Sequence, residues 1–382
     1  VLVQLDLTQD QELFRDTTRK FVEGQTPLAA VRALYDVPEG FSRDWWREAC
    51  ALGWTSLFVP EQHGGLGASS SATADAAIVA EEMGRLVTPG PLLPSNVVAA
   101  ALAWSGTEAQ QQARLPDIAT GASIAAWALA EPGDRWRFSA LESTATLERD
   151  TVTLQGEKAY VEAGGGADHF LVTATGNGGL TQVLVPSTAR GLTVTRGRSI
   201  DMTRRYARLH FDGVRLPLDA VVGEPGLASE AAERQLALAL ALQCAELIGI
   251  AESTLESTLE YGRARVAFGR PIVSFQALKH RIADMAGWLE GMKAVTETLI
   301  AALDDGDHDR VPMLAGAAKV YVGQHALDIV DDCVQITGGL GVTWEHDIHL
   351  YNRRAAVDRA IYGSPELHRL RVFELLEGEE SR

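Results

Sequence analysis

Residues 235–256, QLALALALQCAELIGIAESTLE, are apolar on nearly every face of a helix for four turns. A helix with no polar side has no place at a surface, so other elements must surround it. Between Gln235 and Ala251 a single charge interrupts the pattern, Glu246. An ionised carboxylate in apolar surroundings costs several kcal/mol unless it is paired, solvated or protonated. The fold must therefore supply Glu246 with a partner, a pocket or a task.

The periodicity of the chain changes twice around this segment. From Thr8 to about Thr120 apolar residues recur at helical spacing, as in DQELFRDTTRKFV and ATADAAIVAEEMGRLV, with Pro and Gly between segments. From about Ser123 to Pro217 the pattern becomes short β-rich runs such as TVTLQGEKAYV, HFLVTAT and TQVLVP, separated by Gly, Asn and Asp. Long helical patterns return at Ser229: one to about Arg263, one over 275–303, one over 311–335 and a last group to Glu379. These changes predict an α+β chain with an N-terminal helical domain (1–122), a middle β domain forming a small barrel or sandwich (123–228), and a C-terminal four-helix bundle (229–382). Bundles of this kind often associate through their outer faces, so an oligomer is expected.

Composition excludes some partners. A formal charge of -17, from 34 basic and 51 acidic side chains, opposes nucleic acid or an anionic membrane as partner, since both reward a basic surface. Cys50, Cys244 and Cys333 are widely spaced and form no C-x-x-C pair, which fits a reduced compartment and no structural zinc. No uninterrupted apolar run reaches the roughly 18 residues of a membrane span, and the N-terminus lacks a basic-then-apolar signal layout. A cytoplasmic location is the expectation. His63, His210 and His325 are isolated, and no spacing suggests a metal.

Two stretches carry residues suited to a nucleotide diphosphate. In YGRARVAFGRPIVSFQALKH (261–280), Arg265 precedes Phe268 by three positions and Gln276 follows the Gly269-Arg270-Pro271 turn. This brings a cation, an aromatic face and an amide near one helix end. In VQITGGLGVTWEHDIHLYNRRA (334–355), Gln335 ends a helix and Gly338, Gly339 and Gly341 follow, glycines whose bare backbone lets N–H groups approach an anion.

Together with LGWTSLFVPEQHGGLGAS (52–69), these stretches resemble the acyl-CoA dehydrogenase family over essentially the whole chain, and the bacterial steroid-side-chain type in particular. The resemblance implies an FAD flavoprotein, usually a tetramer, that desaturates an acyl-CoA thioester between its α and β carbons. It further implies that Arg265, Phe268, Gln276, Gln335, Gly338 and Gly339 hold the adenine and pyrophosphate half of an FAD whose flavin lies in a neighbouring subunit. The flavin side departs from the family pattern. In ALAEPGDRWRF (128–138), Ala130 stands where the family has Thr, and Asp134, Arg135 and Trp136 replace a Gly-Ser portion. In EKAYVEAGG (157–165), Tyr160 replaces Trp and Glu162 replaces Thr, so two hydroxyls used near the flavin are absent.

The reaction needs a carboxylate held out of bulk water to remove the α proton while a hydride leaves the β carbon. Tyr362 aligns with the C-terminal Glu that many members use, and a phenol is a poor substitute at its ordinary pKa of about 10. Other members take the base from the helix before the Arg-x-x-Phe-Gly motif, at a position corresponding to Ala239. Glu246 lies seven residues further on, on about the same face. A carboxylate surrounded by apolar groups such as Leu242, Leu247 and Ile250 holds its proton more tightly, which suits a base, so Glu246 is the expected catalytic residue. The alternative is a structural acid paired with Arg263 or His280, while Glu345 and Asp347 are rival acids that follow the glycine loop. The resulting expectation is an FAD-dependent subunit acting on a bulky or sterol-derived acyl-CoA. It would pass electrons to an electron-transfer flavoprotein, within a homotetramer or an α2β2 heterotetramer. A second reading makes the chain a non-catalytic partner that supplies part of another subunit's FAD site.

Overall fold

The computed structural model describes residues 7–66, 71–133 and 135–380. Asp134 and the end of the 52–69 motif, residues 67–69, lie outside the described residues. The N-terminal part is built from α1 (Gln9–Gln25), α2 (Leu28–Ala33), α3 (Arg43–Cys50), α4 (Ala72–Arg85), α5 (Leu92–Ser105) and α6 (Glu108–Ala119). Capping boxes start α1 and α6: Thr8 and Thr107 each accept from the backbone of a glutamine three residues on, Gln11 and Gln110, whose side chains accept in return. Phe21, Trp45, Trp46 and Trp54 pack ring on ring in this part, so Trp45, Trp46 and Trp54 are core aromatics.

The middle strands are β1 (Ala125–Ala128), β2 (Thr144–Leu147), β3 (Thr151–Glu162), β4 (His169–Gly176), β5 (Gly179–Pro186), β6 (Leu192–Arg196), β7 (Tyr206–Pro217) and β8 (Val221–Val222). They form one sheet in the order β6-β7-β3-β2-β4-β5-β8, with β1 pairing parallel to β4 over 125–128 and 169–172. The long pair β3 and β7 is antiparallel with register shifts between Leu154 and Gly156 and between Lys158 and Val161. Such bulges bend a strand, and beyond the second one Glu162 points into the core, fully covered.

The C-terminal part holds α7 (Ser229–Ala264), a short antiparallel pair β9 (Val266–Ala267) and β10 (Arg270–Pro271), then α8 (Gln276–Asp304), α9 (Val311–Thr337), α10 (Ile348–Ala360) and α11 (Pro365–Glu380). Every residue of α7 from Gln235 to Ala251 is buried, because α4, α5, α8, α9 and α10 surround it. By length and apolarity α7 would suffice to cross a membrane, but 89% of its most apolar window is buried inside the protein. Helices α4 and α7 meet backbone to backbone. A Cβ on Gly84 would lie 2.2 Å from the carbonyl oxygen of Glu246, and one on Gly249 would lie 2.0 Å from that of Glu81. Only glycine permits this approach, and it closes the space between the two helices at the level of Glu246.

Candidate functional site

Glu246 is buried, 4% exposed, and it is not a solitary acid. Arg204, in the turn before β7, donates through Nη2 to both its oxygens at 2.7 and 2.6 Å. Arg354 on α10 donates through Nη1 to its Oε1. The same two guanidinium groups hold three further acids. Arg204 places Nε 3.0 Å from Glu162 and Nη1 3.1 Å from Asp358, and Arg354 donates to Asp201 at 2.5 Å. Asp201 also accepts from the Thr203 backbone and hydroxyl at 2.8 and 2.7 Å. Four carboxyl groups thus surround two arginines inside the protein. Burial raises Glu162 to about 7, against the pull of Arg204, and burial together with the nearby Glu246 raises Asp358 well above the carboxylate range. The partners proposed for Glu246 from sequence, Arg263 and His280, are both exposed and play no part.

The segments that depart from the family pattern meet next to this cluster. Trp136 stacks on Tyr160 with ring centres 5.7 Å apart and meets Tyr362 edge-on at 5.6 Å. Trp127 stacks on Tyr362 with ring centres 5.9 Å apart. Burial raises the Tyr362 hydroxyl well above its ordinary value, so it accepts no proton as a phenolate at neutral pH. Below the rings, Glu131 accepts from the backbones of Glu142 and Ser143 at 2.7 and 2.8 Å and from the buried Lys158 at 2.8 Å. Burial lowers Lys158 to about 8, partly offset by Glu131. Outside the rings lies a cleft of about 440 Å³ that has Trp136, Phe138, Leu236, Tyr362 and Arg371 in its walls. Inside them, the spaces beside Glu162 and beside Glu246 measure about 10 Å³ each, room for a water molecule at most.

The remaining candidate residues lie on the surface. Phe268 is 96% exposed with a left-handed φ of 53° on the β9–β10 turn. Arg265, Gln276 and Gln335 are exposed, and none has a side-chain hydrogen bond or ion pair among those of the described residues. Gly338 and Gly339 are open to solvent with nothing within 4 Å of an added Cβ. Val266, Leu340, Val342 and Trp344 are exposed apolar side chains on these same two segments. Glu345 is exposed, and Asp347 is bound to Arg32. Among the described residues no group of His, Cys, Asp and Glu is arranged to hold a metal.

Family models of the N-terminal, middle and C-terminal domains of acyl-CoA dehydrogenases match residues 8–122, 126–214 and 229–376. The chain belongs to the acyl-CoA dehydrogenase family. Acyl-CoA dehydrogenases are oxidoreductases acting on CH–CH bonds and are generally flavoproteins. The acyl-CoA dehydrogenase IpdE2 of Mycobacterium tuberculosis is 32% identical over 372 residues, 97% of each chain. Butyryl-CoA dehydrogenase from Megasphaera elsdenii is 26% identical with a TM-score of 0.89, covering 98% of this chain and 100% of its own. A variant of the Tcur3481-Tcur3483 steroid ACAD is 28% identical with a TM-score of 0.89, covering 98% and 99%.

Sequence reasoning missed Arg204 and Arg354. Both lie in segments that read as ordinary polar surface, DMTRRYARL and NRRAAVDRA. One signal was present: Arg354 and Asp358 are four apart on one helix face, beside the apolar Ala355. Spacing alone does not tell a buried pair from a solvated one.

Proposed function

We propose that this chain is the subunit of a heteromeric acyl-CoA dehydrogenase that completes the FAD site of a second, dehydrogenase-like chain and houses no flavin of its own. The observation that carries this reading is the packing beside Glu246: the 440 Å³ cleft lies outside the aromatic rings and does not have Glu246 in its walls. The segments corresponding to the family's flavin loop, its flavin-stacking strand and its C-terminal base come together as four packed rings, and about 10 Å³ remains beside Glu246. Binding sites for small molecules measure about 300–1,000 Å³.

The residues fit one half of FAD. An unpaired guanidinium at Arg265, the uncovered ring of Phe268, the free amides of Gln276 and Gln335 and the open glycines at 338 and 339 suit an adenine and a pyrophosphate presented by another subunit. When bound, the flavin would supply the hydride acceptor for the acyl group. This chain's part is to neutralise the pyrophosphate, cover the adenine and exclude water from that end. Exposed apolar residues on the same segments supply the contact with the partner. The assembly is α2β2, the substrate a bulky or sterol-derived acyl-CoA, and the acceptor an electron-transfer flavoprotein, in line with the family resemblance and the similarity to a steroid ACAD.

A second reading keeps Glu246 as the base of this chain's own site. It rests on the burial of Glu246 among apolar residues such as Leu242 and Leu247. Two measurements separate the readings. Purified alone, the chain is expected to show no flavin absorption band, and co-purified with its partner it is expected to give one FAD per pair of unlike chains. A flavin band from the chain alone would refute the proposal. In the loaded assembly, Glu246→Gln is expected to leave flavin bleaching by acyl-CoA within about threefold of the parent rate, whereas a catalytic base would cost about 10²–10⁴-fold.

A further inference from the structure

We infer that Arg32, on the short helix α2, is a positioning residue that clamps the loop 338–347 in the shape that offers Gly338 and Gly339 to a partner's cofactor; this rests on the function proposed above. The loop leaves α9 at Gly338, with a left-handed φ of 68°, and forms a single 3-10 turn over Gly338–Val342. Its first end is fixed by packing. An added Cβ on Gly341 would lie 3.1 Å from both the Thr337 side chain and the Val334 carbonyl oxygen. Past that point the loop has little core contact, with Val342 76% and Trp344 57% exposed.

Arg32 secures the second end by three contacts at once. Its Nε donates to Asp347 at 2.6 Å, its Nη2 lies 3.3 Å from His349 Nε2, and its guanidinium carbon is 5.7 Å from the Trp344 ring. Trp344 in turn stacks on His349 with ring centres 5.0 Å apart and planes 19° from parallel. The helix that carries Arg32 is held by Val31, which is fully buried. Arg32 and Asp347 are 22% and 39% exposed, so the ion pair alone is partly screened; its combination with the indole and imidazole gives the grip directionality. A loop already ordered loses little conformational freedom when a cofactor and a partner dock on it, and affinity gained in this way appears mainly as slower release.

The test uses the purified, flavin-loaded assembly and follows FAD release by fluorescence after dilution. Arg32→Glu and Asp347→Arg each place like charges at the contact and are expected to speed release about tenfold, the factor that 1.4 kcal/mol makes. The double exchange restores opposite charges and is expected to return release to within about threefold of the parent. Melting of the isolated chain is expected to move little in all three, which separates positioning from a general loss of stability. If a charge reversal prevents assembly, Arg32→Gln must still release FAD faster than the parent. Unchanged release in the single variants, or no recovery in the double, overturns the clamp and leaves the functional reading intact. An assembly that never holds FAD overturns that reading, and the clamp with it.

Discussion

Replacing Arg354 with Met is expected to lower the stability of the folded chain by about 3–5 kcal/mol. Arg354 is fully buried and donates to Asp201, Glu246 and Thr203. Without it, Arg204 is left as the guanidinium beside Glu162, Glu246 and Asp358, Asp201 loses its arginine, and the two small spaces beside the cluster admit a water each at most. The unpaired carboxylates must then stay charged in an apolar interior or take up protons, and either costs free energy at neutral pH. Urea unfolding followed by circular dichroism measures the change, and a loss below about 1 kcal/mol would contradict the cluster as described. Arg354→Met combined with Asp201→Asn is expected to cost less than the two single changes added together, since the second removes a charge that the first leaves unpaired.

The second large effect is a pH dependence that Glu162→Gln reduces. In the folded chain the Glu162 carboxyl is raised from 4.5 to about 7, with burial as the main cause and Glu246 and Asp201 adding to it against Arg204 and Arg354. The folded state thus holds this proton more tightly than the unfolded state does. Its contribution is fully present below about 4.5 and is lost as pH rises to about 7, with no further loss above. Glutamine mimics the protonated acid at every pH. Glu162→Gln is therefore expected to match the parent near pH 4.5 and to exceed it at pH 8 by on the order of 3 kcal/mol. Asp358 is raised in the same direction and keeps part of the slope in the variant. Melting temperatures of the two proteins across pH 4.5–8 are the measurement, and parallel curves would exclude Glu162 as the titrating group.

Much of the architecture is readable from residue patterns. The periodicity of 229–335 predicts the helices 229–264, 276–304 and 311–337 to within a few residues, because a 3.6-residue repeat of apolar side chains survives any tertiary context that buries one face. The family resemblance through 261–292 and 334–355 likewise extends over the whole fold. The burial of Glu246 follows from its neighbours in sequence. Its partners do not, since Arg204 is 42 residues away and Arg354 is 108 away, in segments of unremarkable polarity.

What the sequence determined by itself was local: which segments are helix or strand, that α7 must be surrounded, and that one acid had to be accommodated within it. Tertiary structure decided what accommodates it. Two arginines from distant segments reach Glu246, glycines on α4 and α7 bring those helices into backbone contact, and Trp127, Trp136, Tyr160 and Tyr362 pack together next to the cluster. The physical reason is range. Propensity and periodicity act over a few residues, whereas the pairing of buried charges and the volume of a cavity depend on atoms that only chain folding brings within about 4 Å of one another.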